Sequence, residues 1–159
     1  MLRACHERVQ RSLDLLRRLI EYLDTRGHDR STRSAAADVL RYFDMAAPLH
    51  HEDEELHVFP ALADSADAAL REAIAVLRDD HVRMAERWAT ARGPLQAMAD
   101  GQLPAFSAEH EAALDGFAEC YADHLRHEDD SIYPAARALL DPGAQSAMGQ
   151  EMARRRGVR

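Results

Sequence analysis

The residues best able to do chemistry in this chain of 159 are its nine histidines and twelve glutamates. Placed at random, they would form about 0.7 pairs of the pattern HxxxE. The sequence holds three: His50/Glu54, His51/Glu55 and His124/Glu128. On a helix, residues four apart lie on one face with Cβ atoms about 6 Å apart, so the two side chains of such a pair can serve a single cluster. A repeat reinforces the pattern. Phe43, His50, Glu54, Phe59 and Pro60 recur 74 positions later as Phe117, His124, Glu128, Tyr133 and Pro134, and His6 and His81 are 75 apart. The chain reads as two copies of a helical hairpin, each with a histidine on its first helix and HxxxE on its second.

Without a cation, this set would confine two carboxylates and four imidazoles in a dry interior, where each unpaired charge costs several kcal/mol. A metal site is therefore the expected reading of His6, His50, Glu54, His81, His124 and Glu128. Imidazoles and carboxylates with no thiolate at ligand spacing suit iron or manganese better than structural zinc, which favours four ligands around one ion. Two ions fit the ligand number. If Glu54 and Glu128 both bridge, the carboxylates, the histidines and one bridging oxygen leave about two positions of an octahedral pair for a small molecule. Tyr121, on the seam of His124, and His57, three residues after Glu54, are further candidates for ligation or for bracing a carboxylate. His51 is rotated about 100° from the seam of His50 and reads as a surface or outer residue, with Glu55 beside it. His28, His110 and His127 read as structural or surface, and Phe43, Phe117, Met84 and Trp88 as core.

The elements that must hold these side chains are helices, since Ala, Leu, Arg and Glu dominate between sparse Gly and Pro. Leu2, His6, Val9, Leu13, Leu16, Ile20 and Leu23 form one seam at alternating steps of four and three. A second helix, capped by Ser31 or Thr32, carries Ala36, Leu40, Phe43, Ala47, His50 and Glu54 and ends around Phe59-Pro60-Ala61-Leu62. A third, capped by Asp64 or Ser65, carries Leu70, Ile74, Leu77, His81, Met84 and Trp88. Gly93, Pro94, Gly101 and Pro104 read as the longest connector, after which Ser107 opens a fourth helix with His110, Leu114, Phe117, Tyr121, His124 and Glu128. Four such helices predict an all-α, up-down-up-down antiparallel four-helix bundle over residues 1–141. His6 lies 18 residues before Asp24, and His50 lies 18 after Thr32, so antiparallel packing brings both to one height. Residues 142–159 read as a loosely held tail, with Arg154-Arg155-Arg156 as a solvated end.

Composition narrows the class. Twenty-eight acidic against twenty basic residues give a net charge of −8 with no basic stripe, which argues against nucleic acid or an anionic membrane as partner. No apolar run spans a membrane, and the charged N-terminus is unlike a secretory signal, so a cytoplasmic location is expected. Cys5 and Cys120 form no CxxC pair and read as small buried hydrophobes in a reducing compartment.

At these residues the sequence resembles the hemerythrin-like, or HHE cation-binding, family of four-helix-bundle proteins. The pattern H…HxxxE…H…HxxxE is matched by His6, His50 with Glu54, His81, and His124 with Glu128, and Phe59-Pro60 matches the family's ending of helix two. The resemblance covers about residues 2–140. It implies a non-heme di-iron centre, oxo- or hydroxo-bridged, with Glu54 and Glu128 bridging and the four histidines as terminal ligands. Oxygen-carrying hemerythrins add a histidine one turn along helix three, where Leu77 or Ala85 stands here. The expectation is accordingly a protein that binds or responds to dioxygen, peroxide or nitric oxide rather than one that ferries oxygen. Two alternatives stand beside it: an oxidoreductase that decomposes hydrogen peroxide, and a module that senses or stores iron without turnover. Relatives that repair iron centres carry an additional N-terminal domain, and regulatory relatives carry effector domains; a bundle without either is expected.

Overall fold

The computed structural model describes residues 2–63, 65 and 67–157 and is helical almost throughout, with no strand among the described residues. Helix α1 is Leu2–Arg26. Helix α2 is one unbroken rod over residues 30–63, made of Arg30–Arg41, a wide π turn Tyr42–Ala46, Ala47–Asp53, a second π turn Glu54–Val58, and Phe59–Ala63. Helix α3 is Ala68–Ala99. Helix α4 covers residues 108–139 as Ala108–His127, a π turn Glu128–Ile132, and Tyr133–Leu139, and α5 is Pro142–Arg155. Helices α1 and α2, α2 and α3, and α3 and α4 pack in succession, and α4 returns to α1. Among the described residues no helix is long and apolar enough to cross a membrane.

Each π turn begins six residues before a proline: Tyr42 before Pro48, Glu54 before Pro60, Glu128 before Pro134. A proline inside a helix has no N–H for the carbonyl four residues back, and its ring crowds that carbonyl. Widening the preceding turn relieves the clash; Phe59 N–H then bonds to Glu54 O, and Tyr133 N–H to Glu128 O. Such turns cluster at functional sites. Here two of them start on the two glutamates of the repeat.

Caps and connectors correct several expectations. Asp29, not Ser31 or Thr32, caps α2; its carboxylate accepts from Ser31 and Thr32 N–H, and Thr32 completes the capping box from the third position. Asp64 lies outside the described residues, and Asp67 caps α3. Gly93-Pro94 is not a connector but helix interior. Ala91, Leu95 and Met98 are fully buried around it, and that burial outweighs the roughly 3 kcal/mol a mid-helix proline costs. The turn falls later, where Gly101 at φ +74° takes a conformation that disfavours other residues. Ser107 caps α4 as expected, with His110 as its partner. Residues 142–155 form α5 rather than a loose tail, with Met152 buried.

The apolar interior is divided in two. One core holds Val9 to Leu23, Ala36 to Ala47, Met84 to Met98 and Leu114 to Tyr121, including Phe43 and Phe117 with Trp88 packed against them. The other holds Val58, Phe59, Leu62, Ile74, Leu77, Ile132 and Ala136. His6, His50, Glu54, His81, His124 and Glu128 fall between these stretches along α1 to α4, so a polar layer is sandwiched between two dry ones. That is what fixes its depth.

Candidate metal centre

All six residues of the polar layer are buried, with Glu54 and Glu128 at 0% exposure. The rings of His6 and His50 lie 5.0 Å apart between centroids, as the count of helical levels requires, and those of His81 and His124 lie 4.9 Å apart. The carboxylates join the two pairs. Glu54 Oε1 stands 3.4 Å from His50 Nε2 and 3.9 Å from His6 Nε2, while its Oε2 stands 3.4 Å from His81 Nε2. Glu128 Oε2 stands 3.1 Å from His6 Nε2, and its Oε1 stands 3.3 Å from His124 Nε2. Each glutamate thus offers one oxygen to each pair. Two four-residue groups result, His6/His50/Glu54/Glu128 and His81/His124/Glu54/Glu128, in each of which all potential ligand atoms lie within 4.8 Å of one another.

The orientation of the imidazoles is set from outside. His6 Nδ1 lies 3.1 Å from Asp129, His81 Nδ1 3.0 Å from Glu55, and His124 Nδ1 3.3 Å from Asp80. Since a carboxylate only accepts, Nδ1 of His81 and His124 carries the proton and their Nε2 atoms are left facing the centre. An arginine holds each outer carboxylate in turn: Arg3 on Asp129, Arg78 on Glu55, Arg83 on Asp80. Such outer partners orient metal-binding histidines and raise their basicity. His50 has no carboxylate behind it. Instead α5 braces its helix: Arg155 and Arg156 both pair with the fully buried Asp53, and Arg156 Nη2 reaches Leu49 O at 3.5 Å. The expected solvated end is therefore a structural clasp.

The inward polar atoms lack partners of their own. His50 Nδ1 and Nε2, Glu54 Oε2, His81 Nε2, His124 Nε2 and both Glu128 oxygens are buried without a hydrogen bond. Orphaned atoms of this kind cost about 1–3 kcal/mol each, more when charged. A pair of cations would satisfy them together, and the nitrogen and oxygen donor set suits iron or manganese. Protons are the alternative source of positive charge. Burial alone would lower His6, but contacts with Glu128 and Glu54 raise it to about 10. Burial would likewise raise Glu54, but His50, His6 and His81 hold it well below the usual carboxylate range. His50 is lowered by burial, which the nearby Glu54 and Glu128 do not offset.

Two residues join the layer that sequence spacing did not assign to it. His51, expected near the surface, turns inward: its ring stacks on His81 at 4.1 Å and 11°, and His51, His81 and His124 form a third group of potential ligands within 4.8 Å. Burial lowers its pKa well below 6.5, keeping it neutral. Tyr133 donates its hydroxyl hydrogen to Glu54 Oε1, stands 2.8 Å from His6 Nε2, and stacks on the His6 ring at 5.0 Å. Its repeat partner Phe59 stacks on His81 at 5.6 Å. The signal for Tyr133 was present in the repeat itself, as the one aromatic position where a phenyl became a phenol. The outer carboxylates also carried a signal, since Glu55, Asp129 and Asp80 each adjoin a residue of the layer in sequence.

The other candidates lie elsewhere. Tyr121 is buried in the neighbouring core, its ring 6.3 Å from that of His51. His57 turns away and pairs with Glu151 of α5 at 2.6 Å. Cys5 and Cys120 are free and half-buried.

The Hemerythrin HHE cation binding domain matches this chain over residues 1–136. An uncharacterized protein of Haemophilus influenzae is 30% identical over 159 residues, which covers all of this chain and 90% of that protein.

Proposed function

The chain belongs to the hemerythrin HHE cation-binding domain family, and from that membership we propose that it is an up-down-up-down four-helix bundle holding two iron ions for the binding of dioxygen, peroxide or nitric oxide. The observation that carries this reading is the sharing of Glu54 and Glu128, each with one oxygen toward His6 and His50 and the other toward His81 and His124. His6 and His50 would hold one ion, His81 and His124 the other, and His51 would add a third imidazole beside the second pair. Two iron ions, when bound, supply reversible ligand binding and redox change. The chain's own part is to exclude water with two apolar cores, to fix imidazole direction through Asp129, Glu55 and Asp80, and to hold a proton on the Tyr133 hydroxyl, whose pKa burial pushes far up. The two free cysteines agree with a reducing, cytoplasmic setting.

Metal analysis of protein from iron-supplied cells, with a near-ultraviolet spectrum, tests the reading. It predicts about two irons per chain with oxygen-to-iron charge-transfer bands. Zinc or no metal would overturn it. Turnover of hydrogen peroxide is the rival that Tyr133 favours, because its hydroxyl carries an exchangeable proton hydrogen-bonded to Glu54. Steady dioxygen release from added peroxide, abolished in His81→Ala, would establish turnover; its absence leaves binding.

A further inference from the structure

Three cavities reach the neighbourhood of the polar layer, and they differ in kind. One, lined by His6, Asp129, Arg3 and Arg126, meets the outer edge of His6, where Asp129 already stands against Nδ1. Another, lined by His124, Asp80, Arg83 and Asp123, meets His124 where Asp80 stands against Nδ1. Both are lined mainly by charged side chains. The third, about 330 Å³ and open to solvent on one side, lies between α5 and the ends of α2 and α4 and is walled mainly by Leu2, Val58, Leu140, Met148 and Met152, with Gln145 among them. Its one contact with the layer is Tyr133, the residue whose hydroxyl sits on Glu54 and His6. Arg3 and Arg137, both exposed, mark its outer side.

We propose that this chamber is a binding site for small uncharged, weakly polar molecules, of the dioxygen and nitric oxide class, and that it passes them to the Glu54–His6 side of the cluster beside the Tyr133 ring. The proposal rests on the di-iron reading and narrows it. Apolar walls offer a diatomic gas a better environment than water, whereas hydrogen peroxide and anions would leave their hydrogen bonds behind on entering. Arg137, Leu140, Gln145, Met148, Gly149 and Met152 of its lining lie beyond the stretch matched by the family domain. The Asp53 clasp holds the helix that carries the two methionines in place.

Gly149 also lines the chamber, and nothing lies within 4 Å of a Cβ built on it, so a larger side chain is accommodated there without a backbone clash. Xenon-pressurised crystals of the unmodified chain and of Gly149→Leu, together with stopped-flow binding of nitric oxide to the iron-loaded proteins, test the proposal. Xenon is expected between Tyr133 and Met152 in the unmodified chain and absent in Gly149→Leu, with nitric oxide association slowed about tenfold or more at unchanged iron content. If Gly149→Leu does not fold, Met148→Trp fills the same space. No xenon in the unmodified chain overturns the chamber whatever the metal content. Xenon present, but association unchanged within about twofold on filling, overturns the route and leaves the metal reading standing. Xenon present with no iron bound overturns the metal reading and the route with it.

Discussion

Around His6 and His50 the cluster is finished by a phenol, whereas around His81 and His124 it is finished by a third imidazole. The two halves descend from one pattern and share both carboxylates. Their difference comes down to two positions of the repeat: His51 against Leu125, and Phe59 against Tyr133. A set of four histidines and two glutamates read from spacing alone is symmetric, and the folded cluster is not. The half with His51 has more nitrogen donors, and the half with Tyr133 has the proton-bearing group and the apolar chamber. The repeat supplies the shared cage, and its differences at these two places give one side a third imidazole and the other a phenol.

Removing what the halves share should have the largest effect. Glu54→Ala or Glu128→Ala takes an oxygen from both pairs, so metal analysis should show both ions lost; one full ion retained would mean that the carboxylates are not shared. Next is the clasp that braces only the His50 side. Arg155→Ala with Arg156→Ala strands Asp53 at 0% exposure, and chemical denaturation should register a loss of about 3 kcal/mol. A loss below about 0.5 kcal/mol, the scale of surface pairs, would mean that α5 is not clasped.

Smaller effects sharpen the contrast. His51→Leu installs the residue of the other half and should weaken only the second ion, by about 10- to 100-fold, as read by competition with a chelator. Equal weakening of both ions would deny the asymmetry. The metal-free chain adds a pH signature, in which contacts with Glu128 raise both His6 and His124 and raise His6 furthest into the alkaline range. Because contacts with Glu128 and Glu54 overcome burial and raise His6 from 6.5 to about 10, protonation of His6 stabilises the fold fully below pH 6.5. That contribution is lost as pH climbs from 6.5 to about 10, and metal affinity rises over the same window as the competing proton leaves. Denaturation of metal-free wild type and His6→Gln across this range should converge toward pH 10; parallel curves would refute it.

The seams of α1, α2 and α4 and the common height of His6 and His50 were legible because 3.6-residue periodicity and helical rise are local rules. Pro94 was misread because the burial of Leu95 and Met98 that keeps it helical is a tertiary fact. His51 was read as a surface or outer residue for a related reason: an angle of about 100° off the seam places a side chain at the surface of an isolated rod. Between packed rods that angle can lead into the next interface, where His81 stands. The weak apolar pattern of residues 142–155 gave no sign of α5, since its docking rests on Arg155, Arg156 and Glu151 finding Asp53 and His57, pairs about 100 residues apart.

The central claim is that Glu54 and Glu128 hold two ions side by side, one for each histidine pair. Anomalous diffraction at the iron edge from crystals of iron-loaded protein tests it most directly. Two peaks about 3.5–4 Å apart are expected, one between His6 and His50 and the other between His81 and His124. A single peak, or iron anywhere other than between the two glutamates, would contradict it.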